Sequence, residues 1–382
     1  PSARRWLAPE CAGQAMLIGV LGASGDVGVA SAQALLSLGL QDLRLGGRDA
    51  HNGARCLALL QQQWPEARLQ WTAVDFNDTP ALARFARGCD VLLNCAGPAW
   101  RVADRVAQAA LNADAHYVDA AGDIQLDPAL WRGRSAVLGA GLQPGLTGLL
   151  PRWLALQGFT RVLGLNSYFG LRDHFTAVAA DDFLQGAVDG TSEPLAAWHN
   201  GRCSRALRRR RDVLLPCFPG PVHVLPYLNR EGERLARDLR LETGQWFNVM
   251  TDGHVLKVLD QAHSLTRAEA VQRLCTASQL DLSGQPSFVT LLLQLDGLCD
   301  DQAYTRSLVV SGAGNAPLTG AMAAVTVVSV LEGEIRPGCH DAAYALPPAA
   351  SLERLQRTQA IRALTLLDHP LAHLQHAEEG CL

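Results

Sequence analysis

Three glycines at intervals of three residues, Gly22, Gly25 and Gly28, lie in the stretch GASGDVG, between the apolar run MLIGVL and a segment with helical periodicity. Glycines at a strand-to-helix turn permit a tight bend and let a ligand approach the backbone, while the amides and dipole of the helix N-terminus favour an anion. The commoner fingerprint is G-x-G-x-x-G, and here Ser24 stands at its second glycine. We predict a pyrophosphate site; a turn with only a structural role is the alternative.

The end of the second predicted strand decides which dinucleotide would bind, because a side chain there meets the ribose 2′ position. The sequence is LGGRD, in which Arg48 follows two glycines. A guanidinium can pair with a 2′-phosphate through charge-assisted hydrogen bonds, whereas a carboxylate would repel it. This favours NADP over NAD. If the strand ends one residue later, Asp49 could take the acidic role instead.

Reduction with a nicotinamide cofactor also needs a proton donor within hydrogen-bond reach of the substrate. The stretch HYVDAAGD lies where parallel strands open toward a ligand. Alternate residues of a strand share a face, so Tyr117 and Asp119 point together. We predict that Tyr117 is the proton donor and that Asp119 orients it. The alternative is a core tyrosine with a satisfied hydroxyl and an aspartate that caps a loop.

The second half of the chain offers further donors. The stretch YFGLRDH contains Tyr168, Asp173 and His174 at the end of a predicted strand, and DGHVLK contains His254 and Lys257 in a strand-like run. We favour His174, because an unperturbed imidazole titrates near neutral pH. The alternative for each histidine is a place in the core or on the surface, and Lys257, the only lysine, could simply face solvent.

These residues need a scaffold in which strand ends meet at one edge. From residue 16 to about 150 short apolar runs alternate with helical patterns, which predicts an α/β fold with a doubly wound parallel sheet. Later strands look longer and more polar, as in a mixed or antiparallel sheet. We predict a Rossmann domain over 15–150, completed by 314–350, a substrate and dimerisation domain over 151–313, and a helical tail over 351–382.

Composition limits the remaining classes. The net charge of −4 over 382 residues lacks the basic excess of a nucleic-acid binder, so we expect no nucleic-acid partner. The ten cysteines form no C-x-x-C pair and no Cys/His ligand spacing, which predicts a reduced, cytoplasmic protein without a metal site. The longest apolar stretch, AMAAVTVVSVL, is far shorter than the roughly 20 residues that cross a bilayer, so we expect no membrane span.

Six blocks in order, GASGDVG, GGRD, VDFND, DVLLNCAGP, AHYVDAAGD and VLGAGLQPGLTGLLP, resemble the saccharopine dehydrogenase/reductase-like family through most of the first 150 residues. The resemblance implies an NADP-binding Rossmann domain, a substrate domain, and chemistry at carbon–nitrogen double bonds or the amines that they yield. The cofactor residues that it implies are Gly22, Ser24, Gly25, Asp26, Val27 and Gly28 at the pyrophosphate, Arg48 at the 2′-phosphate, Asp75 and Phe76 at the adenine, and Asn94, Cys95, Ala96, Gly97 and Pro98 under the nicotinamide ribose. Within this block Cys95 is expected to be a small filler and not a nucleophile.

One departure concerns the substrate. Members that act on saccharopine tend to carry an acid in the block G-x-D-P-G, where this chain has Gln143. One branch of the wider group reduces a thiazoline while it is held on a nonribosomal peptide synthetase, as in pyochelin-type siderophore assembly. We expect such an imine substrate, which a carrier protein could tether. We also expect a homodimer. If the substrate is tethered, the arginine run from Arg205 to Asp212 would dock the acidic carrier. The alternative is that this run is a solvated loop. Two alternatives remain: a saccharopine- or carboxyspermidine-type dehydrogenase, with Arg172 for a carboxylate, and a non-catalytic NADP-binding sensor.

Overall fold

The computed structural model describes residues 16–121, 124–188 and 192–376. Within them the chain divides into two compact units. The first unit runs up to Leu149 and takes up the chain again over Ala316–Thr358, and the second comprises Leu150–Asn315 and the residues from Gln359 onward. The chain therefore leaves the first unit, builds most of the second, returns to the first over Ala316–Thr358, and ends in the second.

The first unit contains a sheet of seven strands, all parallel, with the order β16-β6-β5-β4-β1-β2-β3 among the described residues. This is the predicted doubly wound α/β sheet, and short apolar runs such as LIGVL form its buried central strands. Its strands are β1 Leu17–Leu21, β2 Asp42–Gly47, β3 Arg68–Ala73, β4 Val91–Asn94, β5 His116–Asp119, β6 Ser135–Leu138 and β16 Gly338–Asp341.

Helices connect these strands, and the side chains of Asp49 and Asp78 cap the helices that follow β2 and β3. The helices are α1 Asp26–Ser37, α2 Ala50–Gln63, α3 Thr79–Ala86, α4 Ala99–Val102, α5 Arg105–Asn112, α6 Leu146–Ala155, α11 Asn315–Leu331, α12 Ala342–Ala345 and α13 Pro348–Arg357, with a 3₁₀ turn at Pro128–Trp131. The apolar helix α11 packs against α1 so closely that a Cβ on Gly320 would lie 2.5 Å from the amide nitrogen of Ser31.

The second unit contains the predicted mixed sheet, in which β7 and β13 run parallel and the other pairs are antiparallel. Its strands are β7 Arg161–Arg172, β8 Ser192–Pro194, β9 Ala197–His199, β10 Arg202–Cys203, β11 Arg210–Val213, β12 Val222–Asn229, β13 Thr243–Thr251, β14 Phe288–Cys299, β15 Gln302–Gly312 and β17 Ile361–Leu367. Its helices are α7 Ala177–Val188, α8 Arg230–Asp238, α9 His254–Gln261 and α10 Arg267–Leu282, with 3₁₀ turns at Ala262–Ser264 and Leu371–His376.

Two predictions about local structure are wrong. The tail over 351–382 is not helical throughout, because α13 ends at Arg357, Gln359 adopts a left-handed conformation with φ of 61°, and Ile361–Leu367 joins the sheet beside β15. Lys257 does not lie in a strand. It lies on α9, whose first amides, those of His254 and Val255, are capped by the carboxylate of Asp281 at 2.7 and 2.9 Å. Among the described residues, no helix is long and apolar enough to cross a membrane.

Candidate functional site

The turn between β1 and α1 requires glycine at its first position. Gly22 has a φ of +79°, and its amide and that of Ala23 donate to the carbonyl of Gly46 at 2.8 and 3.0 Å. A Cβ on Gly22 would lie 2.7 Å from the nitrogen of Ala96, which follows β4. The turn is therefore bound to the end of β2 and packed against the segment after β4, in a backbone conformation that side chains other than glycine rarely adopt.

The other two glycines have different roles. A Cβ on Gly28 would lie 2.2 Å from the carbonyl oxygen of Gly22, so Gly28 lets α1 pack onto the turn. Gly25, the N-cap of α1, is exposed, and the nearest atom to a Cβ there is the same oxygen at 3.4 Å. Gly25 thus leaves the start of α1 open to a ligand. Ser24 lies in the turn, Asp26 and Val27 begin α1, and this cradle fits a pyrophosphate at a helix N-terminus.

The end of β2 separates the two residues considered for the ribose 2′ position. The side chain of Asp49 caps α2: Oδ1 accepts from the amides of His51 and Asn52 at 2.8 and 3.1 Å, and Oδ2 accepts from Nδ2 of Asn52 at 2.7 Å. Arg48 is exposed directly after Gly47. Because Asp49 is committed to the helix, Arg48 is the side chain at this corner that fits a 2′-phosphate.

Trp71 on β3 also shapes this corner, and sequence reasoning missed it. Its indole ring occupies the space that side chains at two glycines would need: a Cβ on Gly53 would lie 2.0 Å from Cε2 of Trp71, and a Cβ on Gly47 would lie 2.9 Å from Cη2. The signal was the pair of glycines on either side of Arg48. Trp71 thereby supports the backbone from which Arg48 extends.

Asp75 and Phe76, predicted for the adenine, follow the end of β3. Oδ1 of Asp75 accepts from both the amide and Nδ2 of Asn77 at 2.9 Å, so the carboxylate shapes its own turn. Phe76 is half-buried and packs against the core of the first unit. Both residues lie at the carboxyl edge of the sheet, where the fold places an adenine, but each is already partly engaged by the protein.

A buried polar cluster closes the carboxyl ends of β4 and β5. The Tyr117 hydroxyl donates to Oδ2 of Asp119, and Nδ2 of Asn94 donates to the same oxygen at 3.2 Å. The amide of Ala121 donates to Oδ1 of Asp119 at 2.9 Å, and Oδ1 of Asn94 accepts from the amide of Ala96 at 3.1 Å. The cluster therefore fixes the backbone of both segments that leave these strands.

The predicted proton-donor role of Tyr117 is not supported by this position. Tyr117 is 0% exposed, and its ring lies in the core of the first unit with the Trp131 ring at 6.2 Å. Burial, together with the neighbouring Asp119 carboxylate, raises the pKa of Tyr117 well above its usual value. The alternative reading, a core tyrosine with a satisfied hydroxyl and a loop-capping Asp119, describes the observed geometry. In a strand covered on both faces, alternation shows which residues point together but not whether they reach a ligand.

The segment after β4 carries the residues predicted beneath the nicotinamide ribose. Sγ of Cys95 lies 3.4 Å from Oγ of Ser31, and burial raises the pKa of the Cys95 thiol to about 12. A thiol with such a pKa is protonated at neutral pH and is a poor nucleophile. Asn94, Ala96, Gly97 and the cis-linked Pro98 complete the segment. It is a shaped floor held by Asn94, with no reactive group at Cys95.

In the second unit, Asp173 and His174 follow β7 directly. Nδ1 of His174 lies 3.1 Å from Oδ1 of Asp173, and the His174 side chain is 50% exposed. Oδ2 of Asp173 accepts from the amide of Asn315 at 2.9 Å. Tyr168 lies earlier on β7, where it stacks on the Phe247 ring at 4.7 Å. Of the candidates from this unit, His174 is the one that combines an accessible ring with a carboxylate partner adjacent in sequence.

His254 and Lys257 line a separate groove of about 520 Å³ between α9 and α10. Nδ1 of His254 lies 2.8 Å from Oδ1 of Asp281, the residue that caps α9. These two side chains therefore lie against α10. Among the residues that the structure describes, no group of three or more His, Cys, Asp or Glu side chains could hold a metal ion.

Residues 18–138 match the family model described as the saccharopine dehydrogenase NADP binding domain. The solved structure of apo saccharopine dehydrogenase (L-Glu forming) from Saccharomyces cerevisiae superposes with a TM-score of 0.67 at 14% identity, covering 93% of this chain and 100% of that chain. No curated protein sequence matches the chain. The yeast enzyme thus shares the fold over almost the whole length described here.

Other solved structures align over a smaller part. Pen from Bacillus thuringiensis has 11% identity and a TM-score of 0.26 over 28% of this chain and 38% of that chain. A wide-type short-chain dehydrogenase/reductase from Veillonella parvula in complex with NADP has 16% identity and a TM-score of 0.25 over 28% of this chain and 48% of its own. Residues 18–138 therefore match an NADP-binding domain, and NADP is the cofactor of this chain.

Proposed function

We propose that this oxidoreductase uses NADPH to reduce a carbon–nitrogen double bond, and that its substrate is a thiazoline or imine intermediate of nonribosomal peptide siderophore assembly of the pyochelin type. Gln143, where saccharopine-specific members tend to carry an acid, supports a substrate other than an α-amino acid. The residues that would hold NADP are the glycine turn, Arg48 and the segment after β4. Bound NADPH would supply the hydride.

The observation that carries this proposal is the engagement of Tyr117 and Asp119 with each other inside the core. Reduction of a carbonyl creates an alkoxide, so it needs an acid placed at the oxygen. An imine nitrogen is more basic and takes up a proton more readily, so its reduction demands less from a strand-end acid. A site whose tyrosine is buried and already donating its proton suits C=N reduction better than C=O reduction.

For the remaining proton we propose His174. Its ring is half-exposed and lies beside the Asp173 carboxylate, and histidine is the side chain that most often acts as a general acid. His174→Gln should lower kcat by roughly 10²–10⁴-fold, the usual contribution of a positioned acid, and leave the Kd for NADPH unchanged. The half-buried His340 of the first unit, whose Nε2 contacts the Arg336 carbonyl, provides a control for histidine removal. Equal kcat in wild type and His174→Gln would contradict this role.

The function itself is tested by the loss of NADPH absorbance with three substrates: a 2-aryl-thiazoline, an open-chain imine, and an α-keto acid with an amine. We expect turnover of the thiazoline and none with the keto acid and amine. Arg48→Ala, which should bind NADPH weakly, controls for oxidation without bound cofactor. Turnover of only the keto acid with the amine would contradict the proposal. Tight NADPH binding without turnover of any substrate, free or carrier-bound, would indicate a sensor.

A saccharopine- or carboxyspermidine-type dehydrogenase is the second candidate, and Arg172 favours it. Nη2 of Arg172 is buried without a hydrogen-bond partner, while Nε donates to the carbonyl of Pro286 at 3.1 Å and the guanidinium lies 5.2 Å from the Phe288 ring centre. An unsatisfied buried guanidinium nitrogen would be stabilised by a carboxylate. If this candidate is correct, Arg172→Lys should raise KM for the keto acid far more than KM for NADPH.

We also propose that the substrate arrives on an acidic carrier that docks on the arginine run. All four arginines from Arg208 to Arg211 are exposed, but Arg209 already lies 3.6 Å from Asp260 and Arg210 contacts two aromatic side chains of the sheet. Reversing the charge of Arg208 and Arg211 should therefore slow turnover of tethered substrate, leave a free analogue unaffected, and weaken the salt dependence. Equal loss with both substrates would contradict docking at this run.

A homodimer in the cytoplasm is part of the same proposal. Among its described residues, the second unit exposes five large apolar side chains, Leu156, Val178, Phe183, Leu214 and Leu280, at 41–65%. Exposed apolar groups favour association with another surface. Sedimentation should give twice the chain mass of 40.9 kDa, and a monomer at micromolar concentration would contradict this expectation.

A further inference from the structure

The last two residues of β2, Gly46 and Gly47, lie between two aromatic rings. Successive residues of a strand point to opposite faces of the sheet, so the two glycines meet different neighbours. On one face, a Cβ on Gly46 would lie 2.5 Å from Cε2 of Phe85, a residue of α3 that is 1% exposed. On the other face, a Cβ on Gly47 would lie 2.9 Å from Cη2 of Trp71 on β3. We call these four residues the aromatic clamp.

The aromatic clamp connects two parts of the candidate cofactor site. The Gly46 carbonyl accepts from the amide of Gly22, in the turn between β1 and α1, at 2.8 Å. The Gly47 carbonyl accepts from the amide of Val74 at 2.9 Å, which holds the end of β2 against the end of β3. Arg48 follows directly and is exposed. The backbone from which its guanidinium extends is therefore held at a fixed distance from the glycine turn.

The size of Trp71 is the property that this arrangement uses. Nε1 of Trp71 is buried, and among the described residues it has no hydrogen-bond partner. A buried donor without a partner lowers stability, and phenylalanine at this position would avoid that loss. A phenylalanine ring, however, would lack the outer edge of the indole, Cζ2 and Cη2, which are the atoms that approach Gly47. The tryptophan thus reaches Gly47, although its N–H group stays unsatisfied.

We propose that Trp71 is a positioning residue that strengthens the preference for NADP over NAD through Gly47 and Arg48. An exposed arginine loses side-chain freedom when it pairs with a phosphate, and a fixed backbone at its base leaves less freedom to be lost. The aromatic clamp would also hold the contacts to the 2′-phosphate and to the pyrophosphate at one spacing, so that a single cofactor molecule makes both. This inference rests on NADP as the cofactor and on Arg48 at the 2′-phosphate, and it does not depend on which bond is reduced.

The test measures binding without turnover. Calorimetry on the full chain gives the Kd for NADPH and the Kd for NADH, and their ratio is the cofactor preference. Trp71→Phe should lower this preference about three- to tenfold, the range expected when one long side chain is less ordered, and should keep the Kd for NADH within about twofold of wild type. Gly47→Ala should also lower the preference, because its Cβ would displace the indole. Trp64→Phe, at the C-terminal end of α2, is the matched control and should keep the preference.

Two double variants separate positioning from a general loss of stability. If Trp71 acts through Arg48, Trp71→Phe should lower the preference no further in an Arg48→Ala background. If the contact with Gly47 is steric, Gly47→Ala should lower Tm less in a Trp71→Phe background than in wild type, because the smaller ring leaves room for the added methyl group.

An unchanged preference in both Trp71→Phe and Gly47→Ala, together with a lost preference in Arg48→Ala, would overturn the inference. A further loss of preference from Trp71→Phe after Arg48 is removed would also overturn it, because Trp71 would then act without the arginine. If Arg48→Ala keeps the preference, the 2′-phosphate lies elsewhere and the inference fails. The proposed function fails separately: a preference that depends on Trp71, combined with no reduction of any C=N compound, would refute the reductase and leave the aromatic clamp standing.

Discussion

Replacing Tyr117 with phenylalanine separates a structural hydroxyl from a catalytic one. The change removes the donor to Oδ2 of Asp119 but keeps the ring volume beside Trp131, so it creates no large cavity. Hydrogen bonds to charged groups contribute about 1.5–3 kcal/mol, and Asp119 keeps the donors from Asn94 and Ala121. We expect a loss of about 2 kcal/mol, equivalent to a decrease in Tm of about 4–8 °C for a unit of this size. Loosening of the Asn94 segment should raise the Kd for NADPH severalfold, with kcat within about twofold of wild type.

The pH dependence of this difference supplies a second readout. The pKa of Tyr117 is higher in the folded state than its usual value of 10.0, so the folded state favours the neutral phenol. This contribution is fully present below the unfolded pKa and declines as the pH rises above it, by up to about 1.4 kcal/mol per pH unit. Urea titrations of wild type and Tyr117→Phe should therefore converge above pH 10.0. Wild-type stability in the variant together with a 100-fold or greater fall in kcat, on the order expected for loss of an acid, would refute the reasoning and return Tyr117 to the proton-donor role.

Three further predictions concern the cofactor site. Arg48→Ala should raise the Kd for NADPH by about 10–100-fold and change the Kd for NADH little. Asp49→Ala should cost about 1 kcal/mol of stability because a helix cap is lost, and it should keep the cofactor preference. The reverse pattern in fluorescence titrations would mean that Asp49 contacts the ribose. Cys95→Ala should keep turnover, and inactivation of this variant would indicate a reacting thiol. The pKa of the Cys95 thiol is about 12 in the folded protein and 9.0 when unfolded, so the wild type should lose stability as the pH rises between these values. The variant should lose less stability over the same range. Gly25→Ala should fold normally yet weaken NADPH binding, while Gly28→Ala, with its Cβ 2.2 Å from a carbonyl oxygen, should lower Tm; normal stability in Gly28→Ala would contradict the packing assigned to it.

The first unit is predicted well from the sequence because its signals are local. Apolar runs of five or six residues alternate with helical periods, and the glycines at residues 22, 25 and 28 mark a turn whose backbone packs closely against the end of β2 and the segment after β4. The burial of Tyr117 could not be predicted in the same way. Both faces of a central parallel strand are covered, so the alternation of β5 carries no information about which side opens to a ligand.

The errors in the second unit come from long-range determinants. The run HVLKVL is short and apolar, and it fits a strand as well as a helix. It becomes α9 because Asp281, which lies 27 positions away, caps its first amides. Likewise, Ile361–Leu367 becomes β17 because β15 offers it an edge, although α13 just before it sets a helical pattern. Neither partner can be identified from the residues within a local window.

The interleaving of the two units along the chain has a consequence for synthesis on the ribosome. The helix α11 and the strand β16 are translated only after nearly all of the second unit. Until then, the edge of β6 that pairs with β16 stays unpaired, and the surface of α1 that packs against Gly320 of α11 stays uncovered. Waiting edges and apolar surfaces are the features by which nascent chains aggregate. The second unit then waits in turn for β17. Premature release of the nascent chain should therefore yield aggregates, and a chaperone that shields the first unit during these roughly 200 residues, at about 5–20 residues per second, should raise the yield of folded protein more than one that acts after release.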